Sequence, residues 1–373
     1  MTTLTKPVAE PRRLVSIELL RFLASFAILV WHYEHFAFDG EVFTVARWDQ
    51  PFHALLWPFY DWGQNGVQVF WCVSGFIFVF KYYLPVRRGD MSAREFFILR
   101  LSRLYPLHFV TLLFVAGVQV LFLAQNGYFF VYPQNDVKHF VLNLFLASYW
   151  GLQDGWSFNA PIWSVSLEIL VYAIFFSLSR RLSFVATAIV AVVLAGVMLA
   201  LGASDMAQCL GFFYIGGTMA VACYNPRLLW NGPLAAHAFV ALGVALAAAG
   251  ILVAAAFLLK GIHIQIVTKL VVVTALVYVF VALNPLMQRF AAPLLFLGSL
   301  TYASYLLHFP LQLTVAYAFS LAGIPLDSTS SVLFVLFIGG TLVLAALCYR
   351  HFEMPAQRGL RVRLLRRERA ALA

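Results

Sequence analysis

Arg21 and His32 lie eleven residues apart within one apolar stretch, LVSIELLRFLASFAILVWHYEHF. Ionisable side chains are costly at the depth of a lipid bilayer, so a membrane helix that carries two of them is a candidate functional site. Eleven residues at about 100° each make three turns plus about 20°, so both side chains point to nearly the same face. They would stand about 16 Å apart along the helix axis. The pattern predicts an inward-facing stripe with a cation at one end and an acid–base group at the other.

The composition excludes an ordinary soluble domain. Hydrophobic residues make up 62% of the chain and charged residues 11%, whereas about a quarter of the residues in a soluble domain are charged. Basic residues precede the first apolar run, but no small-residue cleavage site follows, so we expect the first helix to be retained. The four cysteines show no CxxC pattern and no cluster with histidine. We therefore expect neither a metal site nor a disulfide framework.

A helix that spans the hydrocarbon needs about 17–25 apolar residues. The fold class predicted from such runs is an all-α polytopic membrane protein with about ten transmembrane helices. The shorter run 139–152 is expected to form a re-entrant or interfacial helix in an outer loop. Outer loops are predicted at 37–63 and 125–160, and an inner loop at 83–103. The ten apolar segments are 14–36, 64–82, 104–124, 161–179, 182–202, 205–223, 234–258, 264–283, 296–320 and 331–349.

The distribution of positive charge orients the predicted helices. If Arg21 is left aside, twenty of the 25 lysine and arginine residues fall in segments predicted to lie on one side of the membrane. The positive-inside rule then places both termini in the cytoplasm, as expected for a multi-pass protein of the cell inner membrane. We divide the chain into a cytoplasmic segment 1–13, a membrane domain 14–349 and a basic cytoplasmic tail 350–373. The tail predicts a short amphipathic helix attracted to anionic lipid headgroups.

Further ionisable residues lie inside the apolar segments. Glu168 is predicted in the outer third of the fourth segment, at the depth of His32, where a carboxylate could hydrogen-bond the imidazole and raise its basicity. One sequence leaves open whether the two helices touch. His308 lies near mid-membrane in the ninth segment. Glu18, one turn before Arg21, is expected to pair with its guanidinium.

A basic cluster opens the third segment, REFFILRLSRLYPLHF. Arg100 and Arg103 lie one turn apart on one face, with Tyr105 just beyond. Guanidinium groups bind phosphate bidentately, so the pair could seat a polyanionic ligand, or it could only anchor the helix at the interface. A ligand with an anionic head and a long uncharged arm, such as a coenzyme A thioester, would fit an axis from these arginines past Arg21 to His32.

Two other polar features have simpler interpretations. Ser74 and Gly75 lie in the middle of the second segment, where small residues allow close approach of helices. No GxSxG elbow surrounds the serine, so we favour packing over nucleophilic catalysis. His35, one turn beyond His32, is expected to be an interfacial polar residue near the outer mouth.

In this order the motifs resemble those of the membrane acyltransferases of acyltransferase family 3, over about residues 14–358. Family members move an acyl group from cytoplasmic acyl-CoA to a hydroxyl, commonly on a sugar of an exported or surface glycan. Larger members add an extracytoplasmic SGNH-type esterase domain, and this chain looks like a stand-alone member. The matching elements are Arg21-x10-His32, GVQVFWCVSGF, RLSRLYPLH, PIWSVSLEILVY with Glu168, GSLTYASYLLHFP with His308, and HFEMP with Glu353.

The resemblance implies an acyl-CoA-dependent O-acyltransferase, with acetyl-CoA as the expected donor substrate and no tightly bound cofactor. The expected partners are acyl-CoA, a carbohydrate or glycolipid acceptor and the lipid bilayer, without nucleic acid. We predict a catalytic set of His32, Arg21 and Glu168, and a donor-binding set of Arg100, Arg103, Tyr105 and His308.

A transporter or flippase for a glycan precursor is the alternative. Arg21 and His32 would then form a site for substrate and proton, because intramembrane charges mark such pathways equally well. The arginine cluster of the third segment argues mildly against this alternative, since a glycan need not carry phosphates.

Overall fold

The computed structural model describes residues 14–39, 42–224 and 263–371, most of which are helical. Seven helical stretches within these ranges are long and apolar enough to cross a membrane, and Phe184–Ala200 is a shorter apolar helix. The predicted class, an all-helical membrane protein, is confirmed. The predicted segment 234–258 lies outside the described residues.

A short antiparallel hairpin, β1 (Phe38–Asp39) and β2 (Val42–Phe43), follows the first helix. The other described elements are helices, several of them joined by single 3-10 turns. In chain order these helices are α1 (Val15–His32), α2 (His53–Trp62), α3 (Gly66–Phe78), α4 (Leu84–Arg88), α5 (Ala93–Asn126), α6 (Val137–Leu144), α7 (Trp163–Arg181), α8 (Phe184–Ala200), α9 (Ser204–Tyr224), α10 (His263–Met287), α11 (Ala291–Ala322), α12 (Ser331–Cys348) and α13 (Met354–Ala371).

The predicted inner loop 83–103 is wrong, because α5 begins at Ala93, eleven residues or about three turns before the apolar run. Ser92 caps the helix by accepting a hydrogen bond from the Glu95 backbone N–H at 3.0 Å. A serine at the N-cap with a glutamate three residues later is a strong helix-start signal. Apolarity marks where a helix enters the hydrocarbon, whereas capping decides where the helix begins. Arg100 and Arg103 therefore lie within the second and third turns of α5.

Helical structure also extends beyond other predicted boundaries. The outer loop predicted at 37–63 contains α2, and helical structure runs through α3 and α4 to Arg88. Two π-helical segments interrupt regular geometry: Val79–Tyr83 between α3 and α4, and Tyr349–Glu353 between α12 and α13. The predicted basic tail continues α12 as the helix α13. The eight residues of α6 rise only about 12 Å, too little to span a bilayer, as expected for that run.

The most extensive helix–helix contact joins α3 to α9, and glycine makes it possible. A Cβ on Gly75 would collide with the Phe213 carbonyl oxygen, and a Cβ on Gly216 would collide with the Cys72 carbonyl oxygen. Small residues let helix backbones approach in this way. The close packing predicted at Gly75 is confirmed.

Helix α1 packs against α3, α10 and α11. It is enclosed well enough to bury Ile17, Ile28 and Leu29 completely. A helix in this position can direct ionisable side chains to other helices rather than to lipid.

The contact at Gly75 predicts that an added methyl group lowers the stability of the protein there, but not at a glycine with open space around it. Gly75→Ala should lower the apparent melting temperature in detergent, because a backbone carbonyl cannot yield to the new Cβ as a side chain could, and overpacking costs about 1–3 kcal/mol. Thermal unfolding followed by size-exclusion chromatography measures the effect. Gly117→Ala on α5 is the control, because an added Cβ there meets nothing within 4 Å. Equal melting temperatures for the two variants would contradict the prediction.

Candidate active site

A cavity of about 130 Å³ lies among α1, α3, α5, α7 and α11. It brings together four of the residues predicted from sequence, from three different helices. Three cations and one carboxylate thus face a single enclosed space. These four residues are Arg21, Arg100, Arg103 and Glu168.

Arg21 enters this cavity from α1. Its guanidinium pairs with Glu18 at 2.7 Å, which confirms the predicted i,i+3 ion pair. Gly298 on α11 faces the same carboxylate so closely that a Cβ would collide with it. Arg103 and Glu168 lie within electrostatic range of Arg21. The cation is therefore held from its own helix and faces groups from two others.

Arg100 is oriented mainly by aromatic side chains. Its guanidinium carbon lies 4.7 Å from the ring centroid of Phe78 and 4.6 Å from that of Tyr82. Its Nη2 also donates a hydrogen bond to the Tyr82 hydroxyl. The buried Nε has no hydrogen-bond partner within the described chain. Stacking fixes the plane of this guanidinium and leaves donor capacity unused.

Glu168 belongs to the arginine end of the site. The hydroxyls of Ser74 and Tyr172, 3.2 Å apart, are polar neighbours of its carboxylate, and Arg100 and Arg21 lie within electrostatic range. The contact with His32, which the sequence left open, is not formed: neither side chain is among the neighbours of the other. Arg100 and Arg103 of α5 line the same cavity as this carboxylate. Ser74, interpreted from sequence as a packing residue, lines the cavity.

His32 lies in a cluster of three imidazoles. Its ring centroid is 4.8 Å from that of His35 and 4.7 Å from that of His308. Its Nδ1 is 3.0 Å from the Ile28 carbonyl oxygen. A carbonyl can only accept, so Nδ1 carries the proton and Nε2 of the neutral ring holds the free lone pair.

His308 is fully buried, and neither of its ring nitrogens has a hydrogen-bond partner in the described ranges. No group of three or more His, Cys, Asp or Glu side chains in those ranges is arranged to hold a metal ion. His308 therefore contributes a buried imidazole beside His32, and both of its ring nitrogens have capacity for a polar contact.

Gln312 connects the histidines, and sequence reasoning missed it. Its Nε2 donates to the His32 carbonyl oxygen at 2.7 Å, and its Oε1 accepts from Nδ1 of His35 at 3.1 Å. The Tyr132 hydroxyl lies 3.4 Å from Nε2 of His35. His35 is only 5% exposed, so it is not the water-solvated polar residue that an interfacial position would make it. The available signal was that Gln312 follows His308 by one helical turn in an otherwise apolar run.

A polar seam joins the two ends of the site. We define it as Arg21, Ser25 and His32 on α1 together with Thr301, Ser304, His308 and Gln312 on α11. Ser25 and Ser304 hydroxyls lie 2.9 Å apart, and the Ser25 hydroxyl lies 3.4 Å from the Thr301 carbonyl oxygen. Because Arg21 and His32 both meet this interface, the prediction that they share one face is confirmed.

The cavity stops short of His32. Its lining includes Tyr305, whose ring centroid is 6.0 Å from that of His308, but none of the three clustered histidines. The Tyr305 hydroxyl is held by the Pro161 carbonyl at 2.6 Å and by Ser164 at 2.9 Å. Tyr305 and His308 therefore separate the cavity from the imidazole of His32.

Tyr105 and His308 were predicted to bind the donor together with Arg100 and Arg103. The structure does not bring them to these arginines. The Tyr105 hydroxyl donates to the Leu144 carbonyl at 3.2 Å, and its ring stacks on Phe109 outside the cavity lining. Pro106 does not break α5, yet the tyrosine just before it turns to the last residue of α6. His308 lies instead at the histidine end.

Glu353, in the closing HFEMP motif, is a carboxylate to which sequence reasoning gave no role. It is 4% exposed, and its Oε2 has no hydrogen-bond partner among the described residues. Arg103 and Arg21 lie within electrostatic range. Together with Glu18 and Glu168 it offsets part of the positive charge around the cavity.

Comparison with known proteins shows the family to which the chain belongs. A family model described as an acyltransferase domain, Acyl_transf_3, matches residues 14–350. Acyltransferase MdmB of Streptomyces mycarofaciens is 30% identical over 166 residues, which make up 44% of this chain but only 38% of that protein. No solved structure matches the chain significantly. Since the model covers most of the sequence, including both ends of the polar seam, the chain belongs to the Acyl_transf_3 family of acyltransferase domains.

Proposed function

We propose that the protein is an integral membrane O-acyltransferase that transfers an acyl group, with acetyl as the first candidate, from cytoplasmic acyl-CoA to a hydroxyl of a carbohydrate or glycolipid acceptor. Family membership supports acyl transfer in a membrane. The finer proposal rests on one observation. Arg21 lines a cavity with two further arginines, while His32, on the same face of α1, presents a free Nε2.

The donor would enter from the arginine end. Arg100 and Arg103 offer guanidinium forks suited to phosphate. The cavity, at about 130 Å³, is smaller than the roughly 300–1,000 Å³ of typical small-molecule pockets. It suits the slender thioester arm, while the nucleotide stays at the mouth. The multi-pass chain would cross the inner membrane with that mouth and both termini on the cytoplasmic side, and the positive-inside distribution of charge supports this orientation.

His32 would act as the general base. Its Nε2 takes the proton of the acceptor hydroxyl as the oxygen attacks the thioester carbonyl. The tetrahedral intermediate then expels the CoA thiolate, which takes the proton from the imidazolium, leaving ester and free CoA. The hydrogen bond from Nδ1 to the Ile28 carbonyl holds the ring and leaves Nε2 to accept the proton. For the thioester to meet this imidazole, Tyr305 and His308, which separate the cavity from His32, would have to move aside.

Glu168 then has a different role from orienting His32. Among Ser74, Tyr172 and the arginines, its carboxylate offsets the charge of Arg21 and Arg100 and keeps both within the cavity. Arg21 lies between the mouth and the histidines, where it would guide the donor inward.

Replacing the base tests the central assignment. His32→Gln should reduce acceptor-dependent release of CoA by about 10²–10⁴-fold while the protein remains monodisperse, because a positioned base contributes that much. The assay uses purified protein in detergent with acetyl-CoA, candidate sugars and a thiol-reactive dye. His53→Gln, on α2 outside the site, is the matched control. Wild-type turnover in His32→Gln would refute the assignment.

The same preparation separates the enzyme from the transporter alternative. Reconstituted in liposomes, an acyltransferase should release CoA only when donor and acceptor are both present. Movement of sugar across the liposome membrane without any CoA release would favour the transporter instead.

Gln312 allows a test of positioning at the histidine end. Gln312→Leu should lower kcat about tenfold with little change in KM for acetyl-CoA, because it frees the His32 backbone and His35 but leaves the arginines intact. Gln119→Leu is the control. Gln119 is also buried and bonds the backbone of Phe130, so it should cost stability but not kcat. Equal kcat values for the two variants would contradict this role.

A further inference from the structure

Four cationic side chains from three separate helical segments gather around the arginines that α5 contributes to the cavity lining, and we name them the basic mouth: Lys81, Arg100, Arg103 and Arg361. Arg100 and Arg103 come from α5 and line the cavity. Lys81 comes from the π-helical segment after α3, and Arg361 comes from the tail helix α13. Arg361 and Lys81 both lie within electrostatic range of Arg100 and Arg103.

Arg361 is built into this position by hydrogen bonds. Helix α13 packs along α5. The Nε of Arg361 donates to the Ser102 hydroxyl at 3.1 Å, and its Nη2 donates to the Leu99 carbonyl at 3.0 Å. Both acceptors lie in the stretch of α5 that carries Arg100 and Arg103. The tail is therefore docked on the donor side of the site, and not only available for lipid headgroups.

The positive charge of the basic mouth is incompletely balanced. Among the described residues, no carboxylate lies within 4.0 Å of any of the four cationic groups. Glu168 and Glu353 act on Arg100 and Arg103 only at longer range. Like charges held together in this way raise the local affinity for an anion. The unused Nε of Arg100 adds a donor that a ligand could satisfy.

We propose that Arg361 is a phosphate-binding residue for the donor, so that the tail helix completes the nucleotide site of the acyl-CoA. The inference rests on the proposed function. Coenzyme A carries a diphosphate and a 3′-phosphate at one end of a long arm, and the basic mouth lies where that arm would enter the cavity. A lipid headgroup offers the same phosphate chemistry, so the experiment must distinguish the two sources.

The test compares donors with and without the nucleotide. Purified wild type, Arg361→Gln and Arg363→Gln are assayed with acetyl-CoA and with acetyl-pantetheine, which lacks the phosphates. Arg363 is exposed on the same helix, about 200° around from Arg361, and is the matched control. Arg361→Gln should raise KM for acetyl-CoA about tenfold, with kcat unchanged and acetyl-pantetheine turnover unaffected. Arg363→Gln should resemble wild type.

Three outcomes overturn the inference while leaving the proposed function intact. One is an unchanged KM for acetyl-CoA in Arg361→Gln. Another is an equal loss with both donors, which means that the arginine only supports the fold. The third concerns lipid: added anionic phospholipid changes the stability of wild type but not that of Arg361→Gln, while the KM for acetyl-CoA is the same in both. That result would assign the residue to lipid binding. If wild type releases no CoA in the presence of acceptors, it is the proposed function that fails.

A conservative variant keeps the test decisive if Arg361→Gln does not fold. Arg361→Lys retains the charge but cannot reach both Ser102 and Leu99 as a planar fork does. It should show a KM for acetyl-CoA between those of wild type and a variant without charge, again without effect on acetyl-pantetheine. An effect of equal size on both donors would also overturn the inference here.

Discussion

The polar seam between α1 and α11 is the constraint on which the rest of the structure depends. Polar groups inside a bilayer must find partners within the protein, because lipid offers none. Ser25 meets Ser304, His32 meets His308, and Gln312 meets both the backbone of His32 and the ring of His35. These contacts fix the rotation of α1 and its height against α11. They also oblige other helices to enclose α1, which the glycine-mediated packing of α3 on α9 helps to achieve.

Along this seam the two kinds of chemistry are kept apart. Guanidinium groups and carboxylates gather around the cavity at one end, and imidazoles gather at the other, about 16 Å away along the axis. If the two groups were adjacent, a carboxylate could pair with the imidazole and change its basicity. The observed separation leaves His32 with a backbone carbonyl as its fixed partner and a free nitrogen. An acyl carrier with a charged head and a neutral arm is compatible with both ends at once.

The features that could be predicted from the sequence are those that depend on the periodicity of a single helix. The shared face of Arg21 and His32, the pair of Glu18 with Arg21 and the close approach at Gly75 all depend on spacing within one helix. Contacts between distant helices do not, so the partners of Glu168 and the burial of His35 were not predictable from one sequence. The start of α5 could have been predicted from the capping residues Ser92 and Glu95. The predicted boundary was wrong because it was set by hydropathy alone. Nothing in the sequence distinguishes Arg361 from the other basic residues of the tail, because its position depends on the packing of α13 along α5.

The two π-helical segments bear on how the arginine end of the bundle is put together. Each accommodates one residue beyond what a regular helix would hold. The residues that follow are therefore rotated by about 100° from the positions that a regular helix of the same sequence would give them. One carries Lys81 and Tyr82, and the other ends at Glu353 and leads into the tail helix. The angular phase of Arg361 relative to Ser102 is thus set at a site eight or more residues away. A substitution that made Tyr349–Glu353 a regular α-helix of the same length would swing the tail's inner face by about 100° while every side chain of the tail stayed the same.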